Sequence, residues 1–547
     1  MDTNSPKPRL NLVVNLTGAV SAGTYAAGVL DFLIEALDEF YTARERDDDT
    51  PIHDVVLTGL SGASAGAQTA LILASSIAYR FAPMRHESIA AAHSSGPARG
   101  ARNPFFHHWV EMNDLHDYLT TRDRPVQSVL DSTNIDLVVR SVLDFGTGLV
   151  RTCRPWVANH LRLGIAMTNL RGMPTSYANQ PAAGDHEFTR HADSMYFSIS
   201  GLGSASTPAP KGVEHPLAMP ESAADKCCAW YETLGRACVA SGAFPLVFKP
   251  RTLERPTSDY RAPGSHALPP SESTYAFCAL DGGVFNNDPQ DIAARLREES
   301  GSSPTIVLTI GSAPSRAADG PTNAESLSIA GSGGALLSAI WNEARFRPDA
   351  LTFRDEPGDY ANFLLFPSGA SIGARAAQRG DDALYGSGLG GFAGYFAVDF
   401  REHDFMLGRR NARAALGDYL CLPEKHSLFN HWTEDQRKRY RVVNPVTKVS
   451  ELPIIPLSPA LARSVSDIEV EALPLVAAPD VEGYRSPIRR RLRHVVRGLP
   501  SPGSSAVLFA LCWVAAWPVA WWISRRLMKL IQKDRFLSEG VGETVRS

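Results

Sequence analysis

Two strand-to-helix units stand out near the N-terminus in the pattern of apolar and polar positions. Residues 10–16 form an apolar run of strand length, and residues 24–41 follow with apolar side chains at helical spacing. The order recurs with a strand-like run over 54–61 and a helix of small and apolar residues over 67–79. Glycines lie at both junctions. Short apolar runs alternating with longer periodic helices are typical of βαβ units.

The alternation continues through the middle of the chain and decides the predicted fold class. Because strands and helices keep alternating, we expect an α/β fold with a central, largely parallel sheet and helices on both faces. The further strand candidates are residues 163–168, 274–280, 305–310 and 362–366, and a further helix is expected over 289–299.

Residues 171–226 interrupt this pattern. They are rich in Ser, Gly, Pro, Ala and His and show no sustained periodicity. Long segments of this kind are either functional loops or disordered insertions. We therefore expect either a long loop near the mouth of the protein's functional site or a disordered insertion.

Composition narrows the class of protein. The chain has 547 residues and is 44% apolar, which supports a substantial core and argues against a disordered or fibrous protein. Its seven cysteines are odd in number and show no repeated C-x-x-C spacing, so we expect a reducing compartment and no metal site. The apolar run at residues 10–16 is too short for a secretory signal, so the N-terminal domain is expected to be cytoplasmic.

Residues 62–66 read Gly-Ala-Ser-Ala-Gly and fit the pattern G-x-S-x-G. In that pattern the flanking glycines, here Gly62 and Gly66, let the chain turn sharply between a strand and a helix and expose the serine hydroxyl. A strand candidate precedes this motif and a helix candidate follows it. The start of a helix also brings amide donors and a positive dipole end close to the serine. The motif therefore predicts Ser64 as a nucleophile.

A second turn follows the first strand candidate and opens the first helix. Residues 17–23 read Thr-Gly-Ala-Val-Ser-Ala-Gly, and successive backbone N–H groups in such a turn can point to one place. Gly18, Ala19 and Val20 are therefore candidates for an oxyanion hole. The alternative is a plain strand-to-helix turn.

Asp281 ends the strand candidate over 274–280 and is followed by Gly282 and Gly283. Parallel sheets place their active groups at the carboxyl ends of strands, so Asp281 is the candidate base for Ser64. An ordinary turn aspartate is the other interpretation. A serine and a carboxylate need neither a metal nor a cofactor.

In this order and spacing, the three motifs resemble those of the patatin-like phospholipases. The resemblance covers about residues 10–312 and includes residues 237–248, which are similar to the family's helix-to-strand segment before the aspartate. It implies the patatin-like three-layer fold, a Ser64–Asp281 dyad without histidine, and a phospholipase A-type acyl hydrolase working through an acyl-enzyme. This chain departs from the family's usual G-G-G-x-[RK]-G loop, because Ala19 and Val20 replace glycines and Ala22 replaces the basic residue.

Two other functions stay open at this point. A Ser-His-Asp esterase would need a histidine after the acidic residue in the chain. A patatin-fold protein without catalysis, acting as a lipid-binding protein or scaffold at the membrane, would fit the altered loop. The histidines available to the esterase are His403, His426, His431 and His494.

The C-terminal tail, residues 484–547, differs from the rest of the chain. It carries 12 Lys and Arg against 3 Asp and Glu, and its residues 506–523 are an uncharged run with four tryptophans. Basic flanks and tryptophans suit a membrane boundary, so we expect a hydrophobic helix that either spans the membrane or lies in its interface. Binding of nucleic acid is not expected. The chain thus divides into a catalytic domain (1–312), an extension of the catalytic body without an assigned role (313–483) and a basic membrane-associated tail.

Overall fold

The computed structural model describes most of the chain, in fifteen stretches. These are residues 7–46, 49–85, 87–89, 103–178, 185–209, 214–260, 273–311, 321–323, 327–345, 360–369, 378–444, 447–459, 461, 479–500 and 505–533.

A large, mostly parallel sheet lies at the centre, as the alternating pattern predicts. Along the sheet the strand order is β10-β9-β1-β2-β3-β4-β6, and the first five strands in that order are parallel to their neighbours. Strand β8 joins β3 antiparallel, β7 pairs with β8, and β5 pairs with β3. The strands are β1 (Arg9–Leu16), β2 (Asp54–Gly62), β3 (Arg154–Ala178), β4 (Asp185–Ser200), β5 (Gly203–Ala205), β6 (His215–Ala218), β7 (Arg251–Pro256), β8 (Thr274–Leu280), β9 (Thr305–Ile310) and β10 (Asn362–Leu365).

Helices surround this sheet and continue to the C-terminal end of the described chain. They are α1 (Gly23–Arg46), α2 (Ala65–Ser76), α3 (Thr133–Asp144), α4 (Ala223–Trp230), α5 (Arg236–Ser241), α6 (Gln290–Glu298), α7 (Ile329–Arg345), α8 (Val398–Asp418), α9 (Glu434–Tyr440), α10 (Arg485–Gly498) and α11 (Ala506–Lys533), with short helical turns at Pro104–Phe106 and Leu115–Tyr118. A small separate sheet pairs β11 (Cys421–Pro423) and β12 (Val442–Val443) with β13 (Ser450–Pro453).

Successive side chains of a strand point to opposite faces of the sheet, and in the central strands both sets of side chains are covered by helices. Leu12 and Val14 of β1 point into the main core, whereas Val13 between them packs with Ile292 and Leu296 of α6 on the other face. Since all three β1 residues are buried, the strand reads as a continuous apolar run. The expected α/β class, with helices on both faces, is therefore what the chain adopts.

Helix α1 belongs to the core. Residues Val20–Arg46 are long and apolar enough to cross a membrane, but 94% of the apolar window is buried inside the protein. Its neighbour is α8, and the two helices approach closely at glycines. A Cβ on Gly28 would lie 1.9 Å from the carbonyl oxygen of Phe405, and one on Gly408 would lie 2.2 Å from that of Tyr25. Residues beyond 313 are thereby packed directly on the first helix.

The expectation of a loop or a disordered insertion over 171–226 is wrong for much of that segment. Strand β3 continues to Ala178, and β4 returns antiparallel beside it to Ser200. The two strands supply each other's backbone hydrogen bonds, so this arm needs no apolar run to hold it, and the polar sequence hides the strands from a reading of periodicity. Residues 179–184 and 210–213 lie outside the described residues.

Candidate functional site

Ser64 lies on a sharp turn between β2 and α2. Its backbone has φ 52° and ψ −121°, a region that residues with a side chain seldom adopt and that costs on the order of 1–3 kcal/mol. The turn is possible because both of its flanking residues are glycines, which have no side chain. A Cβ on Gly66 would lie 2.1 Å from the carbonyl oxygen of Leu16, and one on Gly62 would lie 2.8 Å from that of Gly66. The strand–turn–helix context predicted for the motif is present.

Asp281 lies directly after β8, and its carboxylate meets the serine. The Ser64 hydroxyl donates a hydrogen bond of 2.7 Å to Oδ2 of Asp281, and the serine and the aspartate are 5% and 0% exposed. Two backbone contacts fix the aspartate. Its N–H donates to the carbonyl of Ala243 at 3.0 Å, and its own carbonyl accepts from the Thr168 hydroxyl at 2.7 Å. Two residues 217 positions apart in the sequence thus share one hydrogen bond.

Burial controls the charge of this carboxylate. Desolvation raises the pKa of Asp281 to about 7, although hydrogen bonds from the Ser64 hydroxyl and the Gly283 amide oppose the rise. The Gly283 N–H donates to Oδ1 at 2.6 Å. Gly282 has to be small as well, because a Cβ there would lie 2.4 Å from the carbonyl oxygen of Ala166. A carboxyl group with this pKa can take up and return a proton near neutral pH.

The loop after β1 lies against Ser64, but its three residues are not equivalent. The Gly18 N–H already donates to the carbonyl of Asn287 at 2.9 Å, so this amide is not free for an oxyanion, in contrast to the expectation for Gly18. Val20 has φ 50°, an unusual value for a β-branched residue. Within the part of the chain that the structure describes, the amides of Ala19 and Val20 have no acceptor. These two remain the candidates.

A small cavity opens above Ser64 and Asp281. Its volume is about 30 Å³, room for one or two water molecules, whereas ligand pockets commonly measure about 300–1,000 Å³. A larger cavity of about 420 Å³ lies beside α1 and contains none of the predicted site residues. Apart from the dyad, the lining of the small cavity is mainly apolar and aromatic, with Val20, Trp109, Tyr118, Phe244, Phe248 and Tyr395 among its residues.

Tyr395, one of the lining residues, comes from the C-terminal half of the chain, and Phe392 packs next to it. Phe392 packs edge-on against Phe244, with ring centroids 5.8 Å apart, and lies 5.9 Å from the Tyr395 ring. The Ser21 hydroxyl, just after the oxyanion loop candidate, donates to the carbonyl of Gly391 at 2.6 Å. The glycine-rich run 386–391 is therefore held to the N-terminal loop.

Two residues near the dyad carried no sequence signal of their own. The Ser241 hydroxyl accepts a 2.9 Å hydrogen bond from the Ser64 N–H, which helps to hold the turn. Trp109 lines the cavity, and its indole N–H is buried without a partner among the described residues. Ser241 falls within the family-like segment 237–248, so the resemblance points to its neighbourhood, whereas nothing in the sequence pattern singles out Trp109.

The histidines of the esterase alternative lie in other surroundings. His403 is buried beside Asp404, its Nδ1 3.0 Å from a carboxylate oxygen, and its ring packs on Tyr385. His426 accepts from the Leu428 amide, His494 contacts Asp123, and His431 is exposed. Among the described residues, no group of three or more His, Cys, Asp or Glu is placed to hold a metal ion.

Comparison with known proteins gives one relative of substantial coverage. No protein-family model matches the chain. The uncharacterized protein y4iI of Sinorhizobium fredii is 30% identical over 518 residues, which span 83% of this chain and 71% of that protein. Among solved structures, VipD from Legionella pneumophila matches 96% of this chain and 92% of its own at 12% identity, with a TM-score of 0.20. A score that low carries no argument about function.

Proposed function

We propose a function from the site itself, since this chain belongs to the family of the uncharacterized protein y4iI, whose name assigns no activity. The chain is a patatin-like lipid acyl hydrolase of the phospholipase A type, a serine-dependent carboxylic ester hydrolase. Ser64 is its nucleophile and Asp281 its base. The observation that carries the proposal is the 2.7 Å hydrogen bond from the Ser64 hydroxyl to the buried Asp281 carboxylate.

The reaction proceeds in two steps. As the Ser64 oxygen attacks the ester carbonyl carbon, its proton moves to Asp281, and the carbonyl π electrons form an oxyanion. The tetrahedral intermediate collapses by breaking the bond to the alcohol, which leaves with the proton from Asp281. A water molecule then gives its proton to Asp281 and attacks the acyl-enzyme, which releases the fatty acid and restores the Ser64 hydroxyl. Positioned general-base help of this kind contributes about 10²- to 10⁴-fold in rate.

Backbone donors stabilise the oxyanion in this scheme. The amides of Ala19 and Val20 supply two donors, and the N-terminus of α2 directs its positive dipole end at the same place. An oxyanion donor is worth about 3 to 4 kcal/mol of barrier. The strained φ of Val20 fits such a role, because unusual backbone conformations gather where a loop must aim its groups.

The substrate is an acyl-ester lipid, and the enzyme works at a membrane. The aromatic and aliphatic lining above the dyad suits an acyl chain better than a polar substrate. In the basic tail, α11 brings the catalytic domain to the lipid from the cytoplasmic side. The dyad requires neither a metal nor a cofactor, and the scheme involves no nucleic acid.

A panel of phospholipids differing in head group tests the proposal, with release of fatty acid as the readout. We expect Ser64→Ala to abolish hydrolysis and Asp281→Asn to reduce it by 10² or more. Ser61→Ala is the matched control, because its hydroxyl is buried three residues away and donates instead to Asn15. Wild-type turnover in Ser64→Ala, or loss of turnover in Ser61→Ala alone, would remove Ser64 from the mechanism.

The small volume of the cavity favours one second candidate, a lipid-binding protein or scaffold without catalysis. About 30 Å³ above Ser64 leaves no room for an acyl chain unless the wall moves. A fluorophosphonate probe separates the two functions, since an activated serine reacts with it and a silent one does not. Labelling that disappears in Ser64→Ala supports the hydrolase, and absence of labelling on folded wild-type protein supports the scaffold.

A further inference from the structure

The helix α11 exposes a broad apolar surface. Exposure of Trp513 and Trp517 reaches 63% and 56%. Scattered exposed apolar residues need no explanation, but a contiguous run marks a surface that binds something. We call this run the apolar face; it comprises Val507, Leu508, Leu511, Trp513, Val514, Trp517, Val519, Trp521 and Trp522.

The opposite side of α11 is packed on the protein. A stripe recurring every three or four residues is fully or almost fully buried, and it packs against α10 and the turn at Val481–Tyr484. The Gln532 amide also donates to Glu482 at 2.6 Å, which holds the end of α11 to that turn. The buried stripe is Ala516, Ala520, Ser524, Met528 and Ile531. Helices α10 and α11 thus form a closed hairpin with one free side.

Positive charge borders the apolar face. Residues 485–533 contain ten Lys and Arg and no Asp or Glu. Four guanidinium groups lie over tryptophan rings of α11, two from α10 and two from one turn further along α11. These pairs are Arg493 with Trp517, Arg497 with Trp513, Arg525 with Trp521 and Arg526 with Trp522, at 4.1 to 5.1 Å from the ring centroids. Arginine beside tryptophan suits the head-group level of a bilayer, where an apolar ring and a cation are both accommodated.

The hairpin is attached next to the cavity over Ser64. Arg491 of α10 is 1% exposed on its side chain, pairs with Asp123, and donates to the backbone carbonyls of Thr120, Ser128 and Val129. The Val129 N–H in turn donates to the carbonyl of Leu246 at 2.8 Å. Leu246 lies between two cavity-lining residues, Phe244 and Phe248, in the sequence.

Leu246 itself points to a function at this rim. Its side chain is 76% exposed, and its backbone is left-handed at φ 66°. An exposed leucine in a conformation that favours glycine destabilises the fold without a compensating contact, and such residues gather at functional positions. Leu499, just after α10, is 67% exposed as well. The rim at Leu246 therefore presents an exposed apolar side chain one backbone hydrogen bond away from Val129, to which Arg491 attaches the hairpin.

We propose that the apolar face of the closed α10–α11 hairpin docks flat on an anionic lipid bilayer and holds the rim at Leu246 against the lipid surface. This deepens the proposed membrane association and rests on it for the choice of a lipid partner. The apolar face enters the acyl boundary while the arginines bind acidic head groups. A spanning orientation would require α11 to leave its buried stripe or to draw the arginines of α10 into the hydrocarbon.

Co-sedimentation with vesicles tests the docking on full-length Ser64→Ala protein, so that no hydrolysis alters the lipid. We expect binding to phosphatidylcholine vesicles containing a quarter phosphatidylglycerol, and at least tenfold weaker binding to pure phosphatidylcholine or in 1 M NaCl. Trp517→Ser combined with Trp521→Ser should weaken binding at least tenfold. Val443→Ser is the control, because Val443 is 58% exposed on the separate small sheet. Equal binding by the tryptophan variant and the control would overturn the proposal.

A second variant and a topology measurement complete the test. Arg525→Glu with Arg526→Glu should abolish the preference for anionic vesicles while leaving the melting temperature unchanged. For orientation, Ser505→Cys and Gln532→Cys place thiols at the two ends of α11. Both should react with a membrane-impermeant maleimide added outside the vesicles, as read peptide by peptide in a mass spectrometer. Protection of one end would show spanning and overturn flat docking.

Two further results would also decide against the docking. If the tryptophan variant converts a dimer in solution to a monomer without changing vesicle binding, the apolar face binds a second copy of the chain. If wild-type protein hydrolyses a short, water-soluble ester in a Ser64-dependent way but does not bind anionic vesicles, the docking fails and the hydrolase stands. Vesicle binding without any such hydrolysis removes the hydrolase and supports the docking.

Discussion

Replacing Asp281 by asparagine should make the protein inactive and more stable at the same time. Asparagine has nearly the shape of aspartate and can keep both hydrogen bonds of the site. Its amide oxygen can accept from the Gly283 N–H, and its amide nitrogen can donate to the Ser64 oxygen. What it removes is the buried negative charge. It also removes the only proton acceptor that Ser64 has in the proposed mechanism.

The gain in the free energy of unfolding of Asp281→Asn, and its dependence on pH, follow from the pKa of Asp281. Burial raises that pKa from 3.8 to about 7, so between about pH 4 and 7 the native protein holds a proton that the unfolded chain has lost. The free energy of unfolding therefore falls as the pH rises through this window. A rise of about 3 units corresponds to about 4 kcal/mol, all of it lost above pH 7 and none of it lost below pH 4. The asparagine variant has no such loss.

Thermal unfolding followed by fluorescence at pH 5 and pH 8 measures this difference. Unfolding entropy of roughly 2.1 cal/mol/K per residue over 547 residues makes about 4 kcal/mol equal to a shift of about 3 to 4 °C. Asp281→Asn should melt higher than wild type by that amount at pH 8 and by less than half of it at pH 5. Equal melting temperatures at pH 8, or a gap that does not narrow at pH 5, would refute the reasoning.

Asp259→Asn is a control for which the change in melting temperature should have the opposite sign. Burial tends to raise the pKa of Asp259, but hydrogen bonds from His215 and Arg255 outweigh it and lower that pKa. A carboxylate with a lowered pKa stabilises the fold above its unfolded pKa and loses that contribution as the pH falls. The Asp259 variant should accordingly melt lower than wild type at pH 8, with the gap closing in acid.

Four further predictions follow from the same contacts. The value of kcat/KM should fall about tenfold per pH unit below about pH 7, because protonated Asp281 cannot accept the serine proton; a flat profile from pH 5 to 8 would exclude it as the base. Gly66→Ala should yield little folded, active protein, since its Cβ would meet a carbonyl oxygen of β1 at 2.1 Å; normal expression and turnover would show that the turn relaxes freely. Leu246→Gly should raise the free energy of unfolding by about 1 kcal/mol by relieving its left-handed backbone and should weaken vesicle binding, as denaturant titration and sedimentation would measure. Arg491→Ala removes one partner of a buried ion pair, a loss of about 3–5 kcal/mol, and should make the α10–α11 hairpin the first part cut in limited proteolysis; an unchanged cleavage pattern would show that other contacts hold it.

The sheet and the meeting of Ser64 with Asp281 could be predicted because their signals are local. Each strand candidate near the site is an apolar run, and each motif residue lies at a strand end where glycines permit a tight turn. Strands β1 and β2 are parallel, so the loop after β1 and the turn at Ser64 lie at one edge of the sheet. Strand β8 instead runs antiparallel beside β3, with Leu280 opposite Thr168. The motifs therefore predict that Ser64 and Asp281 meet, whereas the expected reason, a parallel strand ahead of the aspartate, is wrong.

The walls of the cavity and the free amides of the loop could not be predicted in the same way. Phe392 contacts Phe244 from a point almost 150 residues further along the chain, just before α8. Helix α8 packs on α1 at two glycines that look unremarkable in the sequence. The Gly18 amide is occupied by a carbonyl at position 287, a contact with no local signal. Residues 171–178 of β3 and 185–194 of β4 are likewise hidden, because polar residues predominate there and the two segments pair with each other.

The position of Phe392 and Tyr395 in the chain has a consequence for how the protein is made. During translation, the serine turn emerges from the ribosome more than three hundred residues before Tyr395, which lines the cavity above it. Until α8 is released, the surface of α1 around Gly28 that α8 covers is open to solvent, and apolar surface exposed in this way favours aggregation. Completion of the chain then covers that surface and adds Tyr395 to the lining of the cavity above the serine, so a prematurely terminated chain would expose both.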